Sequence, residues 1–156
     1  MHSAIEAPPA RLKGTPSWLV NQTATHASRL VTEGFAAVGA RRYHYSLLAA
    51  LSEFGPSSQA ALGRHTGIDR SDVVAMLNEL SEQQLVERSV DPGNRRRNIV
   101  TLTDAGTARL AELDHLLAGI QDELLAPLAP AEREQLVTLL GRVVEHHRAG
   151  GLGSKP

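Results

Sequence analysis

The stretch that decides the fold is SQAALGRHTGIDRSDVVAMLNEL, residues 58–80. It predicts a short helix over 59–65, a tight turn around Gly67, and a second helix from position 70 to about 83. Asp69 and Asp72 have the spacing of a capping box at the start of the second helix. A short helix, a glycine-containing turn and a second helix together indicate a helix-turn-helix.

The pattern of apolar residues changes directly after this motif. Residues 85–90 alternate loosely and residues 98–102 are rich in β-branched side chains, as in two short strands. Between them, residues 91–94 (Asp-Pro-Gly-Asn) are a strong turn signal. The two segments therefore predict one β-hairpin with a basic tip formed by Arg95, Arg96 and Arg97.

Further helices are predicted on both sides of this unit. Apolar residues at helical spacing predict helices over 17–38 and 43–54 before it, and over 103–125 and 131–147 after it. Ser17 is positioned to cap the first of these helices. The last two helices carry more Leu and Val than one short helical pair can hide, which predicts that they pack against a second copy of the chain.

Composition limits the class of protein. Of 156 residues, 42% are hydrophobic but only 3% are aromatic, which favours a helical core of Leu, Val and Ala. The fold class expected is mainly α with a small β-hairpin wing: a winged helix-turn-helix with flanking dimerisation helices. No apolar run approaches the roughly 18 residues of a membrane span. Residues 1–16 lack the apolar core of a signal peptide and are expected to be a flexible arm, as are residues 148–156.

The sequence contains no cysteine, which excludes disulfides, thiolate catalysis and cysteine-based zinc sites. This absence fits a cytoplasmic location. Nucleophile elbows, P-loops and HExxH patterns are also absent from the sequence, so we predict that the chain is not an enzyme. No cofactor is expected.

The order of the elements is typical of a protein that reads duplex DNA. The second helix of such a motif enters the major groove, and a basic hairpin beside it can contact the backbone or the minor groove. The net charge of −1 shows no basic excess, which taken alone argues against a nucleic-acid binder, but positive charge is concentrated at the hairpin tip. Either feature alone also fits a plain helical core or a solvated loop, but their occurrence in this order favours DNA binding. The predicted DNA-binding residues are Ser58, Gln59, Arg64, Arg70, Ser71, Asp72, Val74, Ala75, Asn78, Arg88, Arg95, Arg96 and Arg97.

Five segments resemble the core and wing of the MarR (multiple antibiotic resistance regulator) family: residues 58–63, 67–71, 85–88, 91–96 and 100–106. The resemblance extends over about residues 17–147 and is most specific from the wing to the next helix.

The resemblance implies a homodimeric repressor that binds a pseudo-palindromic operator in double-stranded DNA. It assigns residues 17–42 and 103–147 to dimerisation and residues 43–102 to the DNA-binding lobe. Matched by position, Arg95 resembles the arginine that enters the minor groove, and Arg70 and Ser71 resemble the start of the recognition helix. The sequence departs from the family at Asn94, where Asp is frequent, and at Asp72, where a small hydroxyl residue is common.

Many relatives in this family respond to phenolic anions or antibiotics, which implies a site for a small phenolic or anionic effector between the dimerisation helices and the DNA-binding lobe. Arginine or a protonated histidine could pair with a carboxylate, and tyrosine or tryptophan could stack on a ring. Taken singly, the aromatic residues also fit ordinary core or interface positions. The candidate ligand residues are Trp18, His26, Arg29, Tyr43, His44 and Tyr45.

Two alternatives stay open. The first is a winged-helix module that binds another protein through the hairpin. The second is a metal-responsive regulator, since His26, His44 and the pair His146-His147 could be zinc ligands if the helices converge. No His-x3-His pair with a nearby carboxylate supports a zinc site, so no metal is predicted, and His65 is expected to face phosphate or solvent.

Overall fold

The computed structural model describes residues 6–150. In chain order its elements are α1 (Ala10–Lys13), α2 (Pro16–Ala36), α3 (Arg42–Phe54), β1 (Ser57–Ser58), α4 (Gln59–Thr66), α5 (Arg70–Glu82), β2 (Val86–Asp91), β3 (Asn94–Leu102), α6 (Asp104–Leu124) and α7 (Pro130–Gly150). These elements confirm the predicted fold class, which is mainly α with a small β-hairpin beside a helix-turn-helix. The chain divides within α6 into two compact units, Met1–Ile120 and Gln121–Pro156.

The ends of the chain differ in part from the prediction. Helix α1 lies inside the segment expected to be a flexible arm, and α7 continues to Gly150, three residues beyond the predicted end of the last helix. Residues 1–5 and 151–156, which belong to the predicted arm and tail, lie outside the described residues. The prediction that Ser17 caps α2 is wrong, because Thr15 is the N-cap and Pro16 begins the helix with its restricted φ.

Helices α4 and α5 form the predicted helix-turn-helix. Ser58 caps α4, and its hydroxyl accepts a hydrogen bond from the backbone N–H of Ala61 at 3.2 Å. Gly67 ends α4 with φ +70°, a left-handed conformation that glycine adopts without steric cost. Asp69 caps α5, but its partner is Ser71 rather than the expected Asp72, with the backbone N–H at 3.3 Å and the hydroxyl at 2.7 Å.

The hairpin is part of a three-stranded antiparallel sheet of order β1-β3-β2. Strand β1 was not predicted, since two serines carry no strand signal without their partner Val100 on β3. Val90 pairs with Asn98 and Asp91 with Asn94, so three residues of β3 have no Cα partner on β2. These residues are Arg95, Arg96 and Arg97. The arginines therefore lie on an irregular part of β3 rather than on the turn, which is formed by residues 91–94.

The core of the first unit joins the helix-turn-helix to the helices around it. Its fully buried side chains come from α2, α3, α4, α5, the sheet and α6, namely Phe35, Leu47, Leu48, Leu62, Val73, Leu77, Leu80, Val86, Val100 and Leu113. Helix α6 begins in close contact with this core, because a Cβ at Gly106 would overlap the carbonyl oxygen of Leu85. The Thr103 hydroxyl donates to the carbonyl of Gln84 at 2.8 Å and accepts from the N–H of Gly106 at 3.0 Å. The Thr103 hydroxyl thus caps the start of α6.

The second unit contains the end of α6 and helix α7. Arg133 joins them, donating to Asp122 at 2.8 Å and to the carbonyl of Leu128 at 3.0 Å. None of the residues of α7 is buried. Its exposed apolar side chains are Val137, Leu139, Leu140, Val143 and Val144. Within residues 6–150, no helix combines the length and apolar character that crossing a bilayer requires.

Candidate nucleic-acid interface

A cationic groove of about 620 Å3 lies where the N-terminal ends of α4 and α5 meet strand β3. Its floor contains the apolar side chains of Ile68 and Val73. Six of the predicted DNA-binding residues line it together: Ser58, Gln59, Arg64, Arg70, Arg96 and Arg97. We call this surface the arginine groove.

The arginines of this region differ in whether they already have a partner. Within residues 6–150, Arg64, Arg70, Arg95 and Arg96 form no ion pair with a carboxylate. Arg97, in contrast, donates to one oxygen of Asp91 from Nε at 2.8 Å and from Nη2 at 2.5 Å. The arginine groove therefore contains three guanidinium groups with their charge uncompensated and a fourth that holds the wing.

Asp91 organises the turn of the wing. Its second carboxylate oxygen accepts from the backbone N–H of Gly93 at 2.9 Å. This hydrogen bond, followed by the bonds from Arg97, holds the pKa of Asp91 below its usual value. Asn94 contributes a further turn contact, since its side-chain oxygen accepts from the backbone N–H of Arg96 at 3.1 Å. The carboxylate of Asp91 and the side-chain amide of Asn94 thus order the turn of the wing, and Arg95 and Arg96 are exposed beside it.

Helix α5 presents Ser71, Ala75 and Asn78 to solvent, with Val74 half-buried. The Ser71 hydroxyl already donates to Asp69, and these bonds lower the pKa of Asp69. Both the hydroxyl of Ser71 and the carboxylate of Asp69 are therefore engaged in the helix cap before any ligand is present.

Arg88 has a different environment from the one predicted. Its Nη1 donates to the side-chain oxygen of Asn78 at 2.8 Å, joining strand β2 to helix α5. Its Nε and Nη2 are buried without a partner. Arg88 therefore belongs to the contact between the wing and the recognition helix, and the same bond occupies the oxygen of Asn78. Ser58 is likewise buried, and its hydroxyl is used to cap α4.

A second cavity, of about 710 Å3, lies on the opposite face of α5. The end of α2 and the start of α3 form one wall through Thr32, Ala36, Gly39, Ala40, Arg41, Arg42, Tyr43 and His44. Helix α5 forms the other wall through Asp72, Met76, Glu79 and Gln83. We call it the α3–α5 cavity. Asp72, predicted to contact DNA, lies on this side of the helix.

His44 connects the two walls of the α3–α5 cavity. Its side chain is buried, and its Nδ1 accepts from the backbone N–H of Arg41 at 3.2 Å. Because Nδ1 is the acceptor, the ring proton lies on Nε2 and is donated to Glu79 at 2.6 Å. Nη1 of Arg41 lies 3.6 Å from the other oxygen of Glu79. The Glu79 carboxylate thus sits between the imidazole and a guanidinium group.

The structure separates the six predicted ligand residues. Tyr43 and His44 line the α3–α5 cavity, whereas Arg29 pairs with Glu33 at 3.5 Å on an exposed surface of α2. His26 is also exposed. Trp18 precedes Thr32 by 14 residues on α2, which corresponds to about 21 Å along the helix.

Tyr45 points away from the cavity. Its hydroxyl donates to Asp114 on α6 at 2.7 Å, and its ring lies 5.8 Å from that of Phe35. The bond to Asp114, together with burial, raises the pKa of Tyr45 to about 12. Tyr45 is therefore a packing and hydrogen-bonding residue between α3 and α6.

Sequence reasoning assigned Asp72 to DNA binding and did not identify Met76, Glu79 and Gln83 as residues that face the cavity. Asp72, Met76, Glu79 and Gln83 follow each other at helical spacing, but only tertiary structure brings them opposite Arg41. The available signal was that the polar residues Asp72, Glu79 and Gln83 share one side of α5, next to the buried stripe of Val73, Leu77 and Leu80.

No support for the zinc alternative comes from the part of the chain that the structure describes. Among residues 6–150, no three histidine or acidic side chains are grouped as metal ligands. Both ring nitrogens of His44 have protein partners. His65 stacks on Phe54 with ring centroids 3.8 Å apart, while remaining exposed at its edge.

Comparison with known proteins places these features in context. The model of the MarR family matches residues 39–97. The repressor NicR of Pseudomonas putida is 34% identical over 104 residues, which are 67% of this chain and 66% of NicR. The chain thus spans slightly under two thirds of the length of that relative.

Two solved structures extend the similarity. The repressor CouR, bound to a 23-mer DNA duplex, superposes with a TM-score of 0.79 and 26% identity over 89% of this chain and 99% of CouR. BpsR of Bordetella bronchiseptica, whose DNA binding is regulated by 6-hydroxynicotinic acid, superposes with a TM-score of 0.74 and 25% identity over 88% of this chain and 98% of BpsR.

Proposed function

Because this chain belongs to the MarR family, we propose that it is a homodimeric transcriptional repressor whose arginine groove binds operator DNA and whose α3–α5 cavity receives a small aromatic acid. MarR-family proteins are DNA-binding transcription factors and not enzymes. We expect it to act in the cytoplasm, where its operator lies.

The observation that carries the DNA-binding proposal is the set of unpaired guanidinium groups around the start of the recognition helix. Arg64, Arg70 and Arg96 come from three different elements and line one groove. Polyanionic DNA would compensate their charge, and the release of its counterions would favour binding. In this proposal α5 enters the major groove, while Arg95 and Arg96 on the wing reach the backbone or the minor groove.

Dimerisation is supported by helix α7. A 21-residue helix that buries none of its side chains gains little stability from the remainder of its own chain. Val137 is 67% exposed and Val144 is 65% exposed, and three further apolar residues of α7 are exposed near them. A second copy of the chain would cover this face and would set the distance between two recognition helices.

The effector proposal is supported by the composition of the α3–α5 cavity. Arg41 and Arg42 provide donors for a carboxylate, and Tyr43 provides a ring at the rim. The cavity touches the recognition helix, so a ligand there can favour one position of that helix over another. Regulation of BpsR by 6-hydroxynicotinic acid makes hydroxylated aromatic acids the first compounds to test.

The experiment is a gel shift with the DNA that flanks the gene for this chain, at two salt concentrations. We expect a shift at an inverted repeat that weakens steeply with salt, and that weakens again on addition of 6-hydroxynicotinate or salicylate. Arg29→Ala, which removes an exposed arginine that does not line the groove, is the control for nonspecific loss of charge. Absence of any salt-sensitive shift would favour a protein-binding module instead.

A further inference from the structure

We infer that Glu79 is an internal anion that occupies the carboxylate position of the α3–α5 cavity, so that an acidic effector binds only by displacing the recognition helix from His44. This inference rests on the effector role proposed above. It adds the identity of the group that the effector replaces and the contact through which the signal reaches α5.

Glu79 lies between two donors of the α3–α5 cavity. One of its oxygens accepts from Nε2 of His44 at 2.6 Å, and the other lies 3.6 Å from Nη1 of Arg41. A carboxylate held between an N–H donor and a guanidinium group has the environment that the carboxylate of an aromatic acid would seek. The protein has therefore already filled this position with one of its own side chains.

The available donors differ in burial. The side chain of His44 is 5% exposed, whereas that of Arg41 is 64% exposed. A charge-assisted hydrogen bond gains most where solvent does not compete, so the N–H of His44 is the strongest donor that the cavity offers. Arg42 is exposed and can attract an anion, but it cannot replace that buried donor.

Asp72 and Glu79 both line the cavity, so a bound carboxylate would meet two negative charges in addition to the two arginines. Like charges in a partly buried site repel strongly. Moving Glu79 away relieves one of these repulsions and frees Nε2 of His44 at the same time.

The consequence follows from the location of Glu79 on α5. The bond between His44 and Glu79 holds the recognition helix to the start of α3. An effector that takes the place of Glu79 breaks that bond and releases the helix, and by reciprocity DNA that fixes the helix position weakens effector binding. Glu79 is thus a positioning residue that links the ligand site to the DNA-reading element.

The test compares Glu79→Ala and Glu79→Gln with the wild-type protein and with Glu82→Gln, an exposed carboxylate on the same helix. The affinity of the full-length dimer for salicylate and for 6-hydroxynicotinate is measured by calorimetry without DNA. We expect roughly tenfold tighter binding in Glu79→Ala, a smaller gain in Glu79→Gln, whose amide oxygen still accepts from His44, and no change in Glu82→Gln. Salicylamide, which lacks the charge, should gain little.

Operator binding provides the second measurement. Saturating salicylate should weaken the wild-type complex at least several-fold but should leave the Glu79→Ala complex nearly unchanged, because the bond to be broken is already absent. If Glu79 only stabilised the fold, Glu79→Ala would lower the stability and the DNA affinity without increasing the affinity for the acid.

The outcomes separate this inference from the effector proposal. If the wild type and Glu79→Ala respond equally to salicylate, Glu79 is not the competing group, although the effector proposal stands. If only Glu79→Ala binds the acids, the internal anion is supported and the effector response of the natural protein is rejected. If neither protein binds either acid, both are overturned.

Discussion

The two faces of helix α5 differ in what their charged neighbours already contact. On the groove side, Arg64, Arg70 and Arg96 have no carboxylate partner within residues 6–150. On the cavity side, Arg41 and His44 already hold the carboxylate of Glu79. The groove side can therefore accept an external polyanion, whereas on the cavity side the contact with Glu79 must break before another anion can bind. This difference underlies our proposal that the same helix binds DNA on one face and responds to an acid on the other.

The largest effect should come from an uncompensated arginine. We expect Arg96→Ala to weaken operator binding by roughly tenfold to a hundredfold on specific and random DNA alike, because a lost phosphate or groove contact carries little sequence information. The slope of log affinity against log salt should fall by about 1. Fluorescence anisotropy with both DNAs measures this, and an unchanged salt slope would show that the groove does not bind the phosphate backbone.

The Arg88→Met variant removes an arginine that is already engaged. Since Arg88 donates to Asn78 inside the protein, we expect a loss of operator affinity of a few-fold with the salt slope unchanged. The free energy of unfolding should change by no more than about 1 kcal/mol, because the loss of the bond to Asn78 is offset by the removal of two buried nitrogens without a partner. Anisotropy at several salt concentrations, with urea unfolding alongside, distinguishes this from Arg96→Ala. A reduced salt slope would place Arg88 on DNA.

Ser58 lines the arginine groove, but its hydroxyl caps helix α4. We expect Ser58→Ala to lower the free energy of unfolding by about 1 kcal/mol, the usual cost of losing an N-cap. Ser58→Thr keeps the capping oxygen and is the matched control. If Ser58→Ala is as stable as the natural protein but binds DNA more weakly, the hydroxyl contacts DNA instead.

The smallest effect should lie at Tyr45, which contacts neither face. Its pKa is raised to about 12 from 10.0. The bond to Asp114 therefore stabilises the folded protein below pH 10, and this stabilisation is lost as the pH rises towards 12. Tyr45→Phe should cost up to about 1 kcal/mol at neutral pH. The difference between the two proteins should shrink above pH 10, as followed by urea unfolding. A difference that persists unchanged at pH 12 would contradict the raised pKa.

Much of the fold was predictable because its signals are local. Helix ends, the Gly67 turn and the capping role of Asp69 depend on residues close in sequence, so α4, α5 and the hairpin were predicted with nearly the observed bounds. The bulged arginines and strand β1 were not, since both depend on the register between strands.

The sequence by itself determined the kinds of side chain available: a glycine-turned helix pair, three successive arginines beside it, and no cysteine for redox sensing. The tertiary structure alone decided which of those charges are free. Arg97 and Arg88 are already engaged because Asp91 and Asn78 lie against them. His44 and Glu79, 35 positions apart, meet only when α3 packs on α5. The sequence shows which residues carry a charge, but whether that charge has a partner depends on distances in the folded chain.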